Sequence, residues 1–344
     1  MQRLAALVVL LAPAVSSAAE PGTFSINGYS SFEVEYQWSE AGEGDRHASM
    51  DADLFDLVFN FRPTDQIRVA TDITWEHGVA SEDGRGNAAI EYGFAEYALS
   101  DGLKLRAGKM FTPFGVFNEI HTAKPAYLSV KEAASTNKPE RIVDSERFFP
   151  RWGVGVAATG DLFIGDVRVD YHLMVSNGEQ EDTNPYEEDN NLAKAVTART
   201  RVESGPAIVG VSLYADWLDG GETIVSTGVQ GQVVVGSLEV MTEGVYGTRG
   251  GGGATDAQVG VLVQTAWRFD GGWTPYLRGE VVDPDLKTGG DRGTLSIVGV
   301  NLSIDEHLFI KLEHDVLVGG PASSLQEVGG TAHELKFAVV VGFQ

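Results

Sequence analysis

The sequence predicts an all-β fold: a transmembrane, antiparallel, up-and-down β-barrel of about 16 strands with its long third loop folded into the pore. Three observations predict it. Apolar residues recur at every second position in successive stretches, as half-buried strands require. The connections alternate between tight turns and long loops. After the N-terminus, no apolar run approaches the ~18 residues of a membrane-spanning helix, so a membrane span must be built from closed strands.

The N-terminus reads as a secretory signal peptide over 1–19: a basic Met1-Gln2-Arg3, an apolar run from Leu4 to Val15, and small residues Ser17-Ala18-Ala19 before Glu20. Residues 20–344 then form one barrel domain. Its first strand places Phe24, Ile26, Phe32, Val34, Tyr36 and Trp38 on one face, with Asn27, Glu33, Glu35 and Gln37 on the other. The same period recurs in Phe55 to Phe61, Ile67 to Trp75, Leu103 to Ala107, Val167 to Val175, Val209 to Trp217 and Val259 to Phe269. The last strand carries Leu335, Phe337, Val339, Val341 and Phe343, an aromatic-ended pattern similar to the assembly signal of outer-membrane proteins.

Short connections fall at 63–65, 100–102, 160–165, 204–206, 236–237, 270–272 and 305–307. Longer ones fall at 39–50, 78–87, 112–150, 178–191, 218–222, 249–256, 284–292 and 319–331. Seven short and eight long connections join sixteen strands. All six tryptophans, at 38, 75, 152, 217, 267 and 273, fall at expected strand ends, where an amphipathic ring meets the membrane interface.

If the apolar parity faces lipid, the other parity lines a lumen rich in charge, including Arg68, Arg168, Arg199, Arg201, Arg268 and Lys311 beside many acids. Such an interior is too wide for side chains to fill and predicts an aqueous channel unless a segment plugs it. The third long loop, 112–150, exceeds the length a simple connection needs. From Lys104 to Arg151 nine basic residues face five acids, +4 in a chain of formal charge -24. Folded inward, the loop brings Lys124, Lys131, Lys138, Arg141 and Arg147, with Arg151 at its end, to the constriction, which leans the pore toward anions.

Three stretches, RAGKMFTPFG (106–115), VSNG (175–178) followed by EEDNNLAKAVTARTRV (187–202), and WTPYLRGE (273–280), resemble the phosphate-selective porin O/P family of Gram-negative outer membranes. The resemblance implies a sixteen-stranded, usually trimeric, water-filled barrel with loops folded into the pore. It implies that Arg106, Tyr276 and Arg278 face the lumen. Members that take up phosphate carry dense arginine and lysine ladders, whereas this wall mixes both signs.

No cofactor or metal is expected. The seven histidines lack a close pair at ligand spacing, and the chain has no cysteine. No G-x-S-x-G is present, and RGGGGAT at 249–255 lacks the ending of a phosphate-gripping loop, so no enzyme is expected. A pI near 4.5 argues against nucleic acid as a partner. The expected partners are outer-membrane lipid and lipopolysaccharide, further copies in a homotrimer, and small hydrophilic solutes or ions. The alternative is a barrel that binds a surface or anchors the envelope without an open channel.

Overall fold

The computed structural model describes residues 21–40, 46–76, 87–120, 122–179, 191–251, 254–319 and 330–343. The expected signal peptide and much of the acidic connection after Ser176 lie outside them. The chain forms sixteen strands: β1 (Thr23–Ser39), β2 (His47–Arg62), β3 (Ile67–Glu76), β4 (Asn87–Ser100), β5 (Leu103–Phe111), β6 (Trp152–Ile164), β7 (Val167–Ser176) and β8 (Ala195–Ser204) come first. They are followed by β9 (Ala207–Trp217), β10 (Thr223–Val235), β11 (Leu238–Gly251), β12 (Ala254–Trp267), β13 (Trp273–Asp283), β14 (Gly293–Ser303), β15 (Leu308–Gly319) and β16 (Thr331–Phe343).

Each strand pairs antiparallel with its neighbours in sequence, and β1 pairs with β16, closing the barrel. Closure leaves no sheet edge with unpaired backbone groups, which is what an apolar surround demands. Gly28 faces Phe343 in the closing pair. A side chain at 28 would meet the Phe343 ring at 2.5 Å, so only glycine lets the last aromatic lie across the seam.

The parity read from the sequence holds. Phe24, Ile26, Phe32, Leu105, Val156, Val211 and Leu277 stand exposed on the outside, while Glu33, Asp56, Asp72, Glu243, Lys311 and Lys336 point inward and are buried. Every tryptophan lies within one residue of a strand end. The alternation of rims holds as well. One rim carries tight turns such as 101–102, 165–166 and 236–237, and the other carries the longer connections, above all 112–151.

Among the boundaries that differ from expectation are the one before β2, where residues 47–50 are already ladder, and two others. The connection read as 249–256 is mostly ladder, because Arg249 pairs with Asp256 and Gly251 with Ala254. Glycine weakens a strand but keeps both backbone groups, so pairing continues to the tip of the hairpin. Likewise β6 continues to Ile164, leaving Gly165 and Asp166 as the turn where 160–165 was expected.

Candidate functional site

The candidate site is the middle of the lumen, where the long connection between β5 and β6 folds inward. Pro113 has no N–H to extend the β5 ladder, and Gly115 adopts φ +62°, a conformation that side chains disfavour. The chain therefore leaves the wall at a sharp angle. Gly115 N donates to Ser212 Oγ at 3.1 Å and Val116 N to Glu243 Oε2 at 2.8 Å. Asn118 closes the base of the loop, its Nδ2 donating to Thr112 O at 2.8 Å and Arg151 O at 3.0 Å.

The loop is packed as a second core. Phe114, Phe148 and Phe149 pack on Tyr214, Ile224 and Val245 of β9 to β11. Phe117, Ile120, Tyr127 and Ala133 pack on Met241 and Leu262. Ala134, Ile142 and Val143 meet Tyr276, Val282, Leu295, Ile297 and Leu317, and Val130 meets Phe309, Ala338 and Val340. Approach is close enough that a Cβ at Gly260 of β12 would stand 1.9 Å from Ser135 O. Burying each such large apolar side chain contributes ~1.5–3 kcal/mol.

Polar latches complete the docking. Lys311 is fully buried and donates from Nζ to the carbonyls of Lys124, Tyr127 and Ser129 at 2.6, 2.6 and 2.9 Å. Arg278 donates to Ser129 Oγ at 2.6 Å and to Glu132 O at 3.1 Å, and pairs with Glu280 at 2.8 Å. Tyr276 donates to Glu313 Oε2 at 2.6 Å, and the same oxygen accepts from Val130 N at 2.9 Å. From the loop, Lys124 pairs with Glu33 and Asp53, and Lys131 reaches Glu33 at 2.5 Å and Asp53 at 3.1 Å. Arg141 bridges Asp315 at 2.6 Å and Glu334 at 2.8 Å.

Burial works against the charge on Lys131 and Arg141, but the facing carboxylates outweigh it and raise both pKa values. Burial alone would raise Glu119; Arg199, His172 and Arg201 override it and bring this carboxyl down to about 2. Glu119 is thereby fixed as an anion paired with Arg199.

The consequence is a lumen narrowed by the loop, which packs on the β9–β16 side of the wall. Every one of the sixteen strands carries at least one inward side chain no more than 9% exposed, from Glu33 on β1 through Met110, Met174 and Tyr214 to Lys336 on β16. Between the loop and the short-turn rim lies a chamber of about 1000 Å³. Its lining includes Arg62, Arg68, Lys104, Arg106, Arg168, Arg199 and Arg201, seven bases, against Asp65, Glu96, Asp101, Glu119, Asp161, Asp170 and Glu203, seven acids. Of the loop it reaches only Pro113 and Glu119. The charges interlock across strands: Arg106 with Glu96 at 2.5 Å, Arg168 with Asp161 at 2.7 Å, Arg201 with Asp170 at 2.9 Å. Phe94 lies between the guanidinium groups of Arg106 and Arg68, 4.9 and 5.6 Å from its ring centre.

The residues expected at the constriction therefore separate. Lys124, Lys131, Arg141, Tyr276 and Arg278, with Lys311 from the expected lumen wall, hold the loop to the wall, because buried charge must find a partner. Arg151 pairs with Glu132 at 2.6 Å inside the loop, and Arg147 with Glu140 at 2.9 Å. Lys138 is exposed. Arg106, Arg68, Arg168, Arg199 and Arg201 line the chamber, and Arg268 pairs with Glu239 at 2.5 Å near the short-turn rim. The expected concentration of free positive charge does not form, since wall acids pair Lys124, Lys131 and Arg141 while the loop's own acids pair Arg147 and Arg151. Sequence reasoning missed the apolar inner wall. Its signal is present in β11, where Met241 and Val245 share the inward parity with Glu239 and Glu243.

The chain resembles several solved structures in fold. An anion-selective porin from Comamonas acidovorans matches with TM-score 0.68 and 9% identity, covering 93% of this chain and 99% of that one. OprB of Pseudomonas putida gives 0.64 and 10%, covering 93% and 94%. OmpF of Salmonella typhi, in complex with daunomycin, gives 0.64 and 10%, covering 94% and 98%. No protein-family model matches the chain. An uncharacterised protein of Aquifex aeolicus (strain VF5) is 23% identical over 185 residues, 54% of this chain and 38% of that relative's length.

Proposed function

We propose that this chain is a channel of the Gram-negative outer membrane through which small hydrophilic solutes and ions diffuse, with the 112–151 loop as its latched constriction. The observation that carries this reading is a basic loop pinned to an acidic inner wall above a chamber of about 1000 Å³. A barrel serving only as an anchor has no need of an arginine- and carboxylate-lined chamber. The likeness in fold to porins supports the same reading.

In this reading the short-turn rim faces the periplasm, the long-loop rim faces outward into lipopolysaccharide, residues 1–19 direct export, and three copies assemble. The anion preference expected from the loop's +4 becomes slight, because those charges are paired and the chamber balances seven bases with seven acids. Phosphate is one solute compatible with Arg106 and Arg68 standing together on Phe94.

Planar bilayers test the proposal. The intact barrel gives small conductance steps, and removal of loop residues 123–145 gives much larger ones. The loop packed into the lumen favours one second reading, a closed barrel that binds a surface. No conductance from either form of well-folded barrel would establish that reading and sink the channel.

A further inference from the structure

We propose that Asp56 and Asp72, with Thr74, form a calcium site on the inner wall beneath the loop, independent of the channel reading. Asp56 is fully buried and neither of its oxygens has a hydrogen-bond partner. Asp72 is 3% exposed, and its Oδ1 is also unpartnered. Neither carboxylate has a basic partner among the described residues. This sets them apart from the neighbouring acids of the same lumen. Glu33 and Asp53 have Lys124, Glu280 has Arg278, and Asp315 has Lys336.

A third group points at the same place. Thr74 lies directly opposite Asp56 in the β2–β3 register, so the two side chains share the inner face. It is fully buried, and its Oγ1 is unpartnered. Tyr29 stands opposite Asp56 on the other side, its hydroxyl donating to Thr122 of the loop at 2.8 Å. The row Tyr29, Asp56, Thr74, with Asp72 two residues along β3, therefore offers only oxygen ligands, tied to the loop through the Thr122 hydroxyl.

Two buried carboxylates without a counter-charge are strongly unfavourable, and buried charges are normally paired or bound to metal. A divalent ion cancels both charges. All-oxygen ligation suits a hard cation, and calcium tolerates irregular, partly hydrated geometry better than magnesium does. Nowhere among the described residues do three acid or imidazole ligands converge on one ion. The hydroxyl of Thr74 and water would therefore complete the shell.

Calcium binding to the full-length barrel, folded in detergent micelles and stripped with EDTA, tests the site at pH 7.5 by equilibrium dialysis and thermal unfolding. The expected result is a calcium-dependent rise in Tm of a few degrees. One bound ion per chain is lost in the Asp56→Asn/Asp72→Asn double variant, and Thr74→Val weakens the affinity several-fold. Calcium uptake unchanged in the double variant would place the ions on the acidic rim and overturn the site. So would a wild type whose Tm calcium leaves unmoved, since the pair would then share a proton instead of an ion. Should the double variant not fold, Thr74→Val decides: unaltered calcium affinity contradicts the proposal.

Discussion

The two halves of the inner wall face the same lumen and are built differently. From β9 to β16 the inward positions mix acids and lysines with large apolar side chains such as Tyr214, Met241, Leu262, Leu295 and Phe309, and the loop covers them. From β3 to β8 the inward positions toward the short-turn rim include Arg68, Glu96, Arg106, Asp170, Arg199 and Arg201, and a chamber remains open against them. Inward apolar clusters show where a loop docks. Inward charges paired mostly along the wall, with Arg199 reaching Glu119 of the loop, show where water stays.

The sharpest way to break this contrast is to remove the wall's central latch. Lys311→Met leaves three loop carbonyls without their donor and costs about 3 kcal/mol of barrel stability, read by thermal unfolding. Conductance rises as the loop loosens. A stable variant with unaltered conductance would mean that Lys311 does not hold the loop.

Gly260→Val attacks the apolar side of the docking. Its Cβ would stand 1.9 Å from Ser135 O, so the loop must shift, at a cost of roughly 1–3 kcal/mol. Limited proteolysis should then cut near Ser135, where the parent chain resists.

Acid supplies a third probe. Glu119 has its carboxyl held at about 2 by Arg199, below the ordinary value of ~4.3. A depressed carboxyl contributes stability above its ordinary pKa and loses it as pH falls through the folded value. The tether at Glu119 is therefore intact above pH ~4.5 and fades from there toward pH 2. Conductance noise should increase over that window, and Glu119→Gln should show the noisy behaviour already at neutral pH.

The chamber side predicts smaller effects. Arg106→Gln changes stability by less than ~1 kcal/mol, because Arg106 is a partly exposed partner of Glu96. It shifts the reversal potential toward cations by unbalancing seven bases against seven acids. Lys138→Gln, at an exposed position, should leave both quantities within error.

Much of the fold was legible because lipid imposes a simple rule. Outward residues from Phe24 to Phe343 must be apolar at every second position, and that constraint shows in sequence however far apart the strands pair. The rim tryptophans and the excess length of 112–151 were legible for the same reason, each being local. The fate of the loop cations was not. Lys124 meets Glu33 and Asp53, and Arg141 meets Asp315 and Glu334, across separations set only by barrel closure. Reading every inward charge as solute-facing overlooked that a buried base first satisfies the nearest acid. Residues 249–251 misled in the opposite sense, since their backbone pairs with 254–256 despite a loop-like composition.

A latched loop narrows the middle of this barrel. Single-channel recording on the intact chain beside one lacking residues 123–145 tests it most directly. Small, rarely open steps from the intact chain and steps several times larger from the shortened one are predicted. Equal conductance from the two barrels would contradict the account, because the loop would then occupy no part of the path.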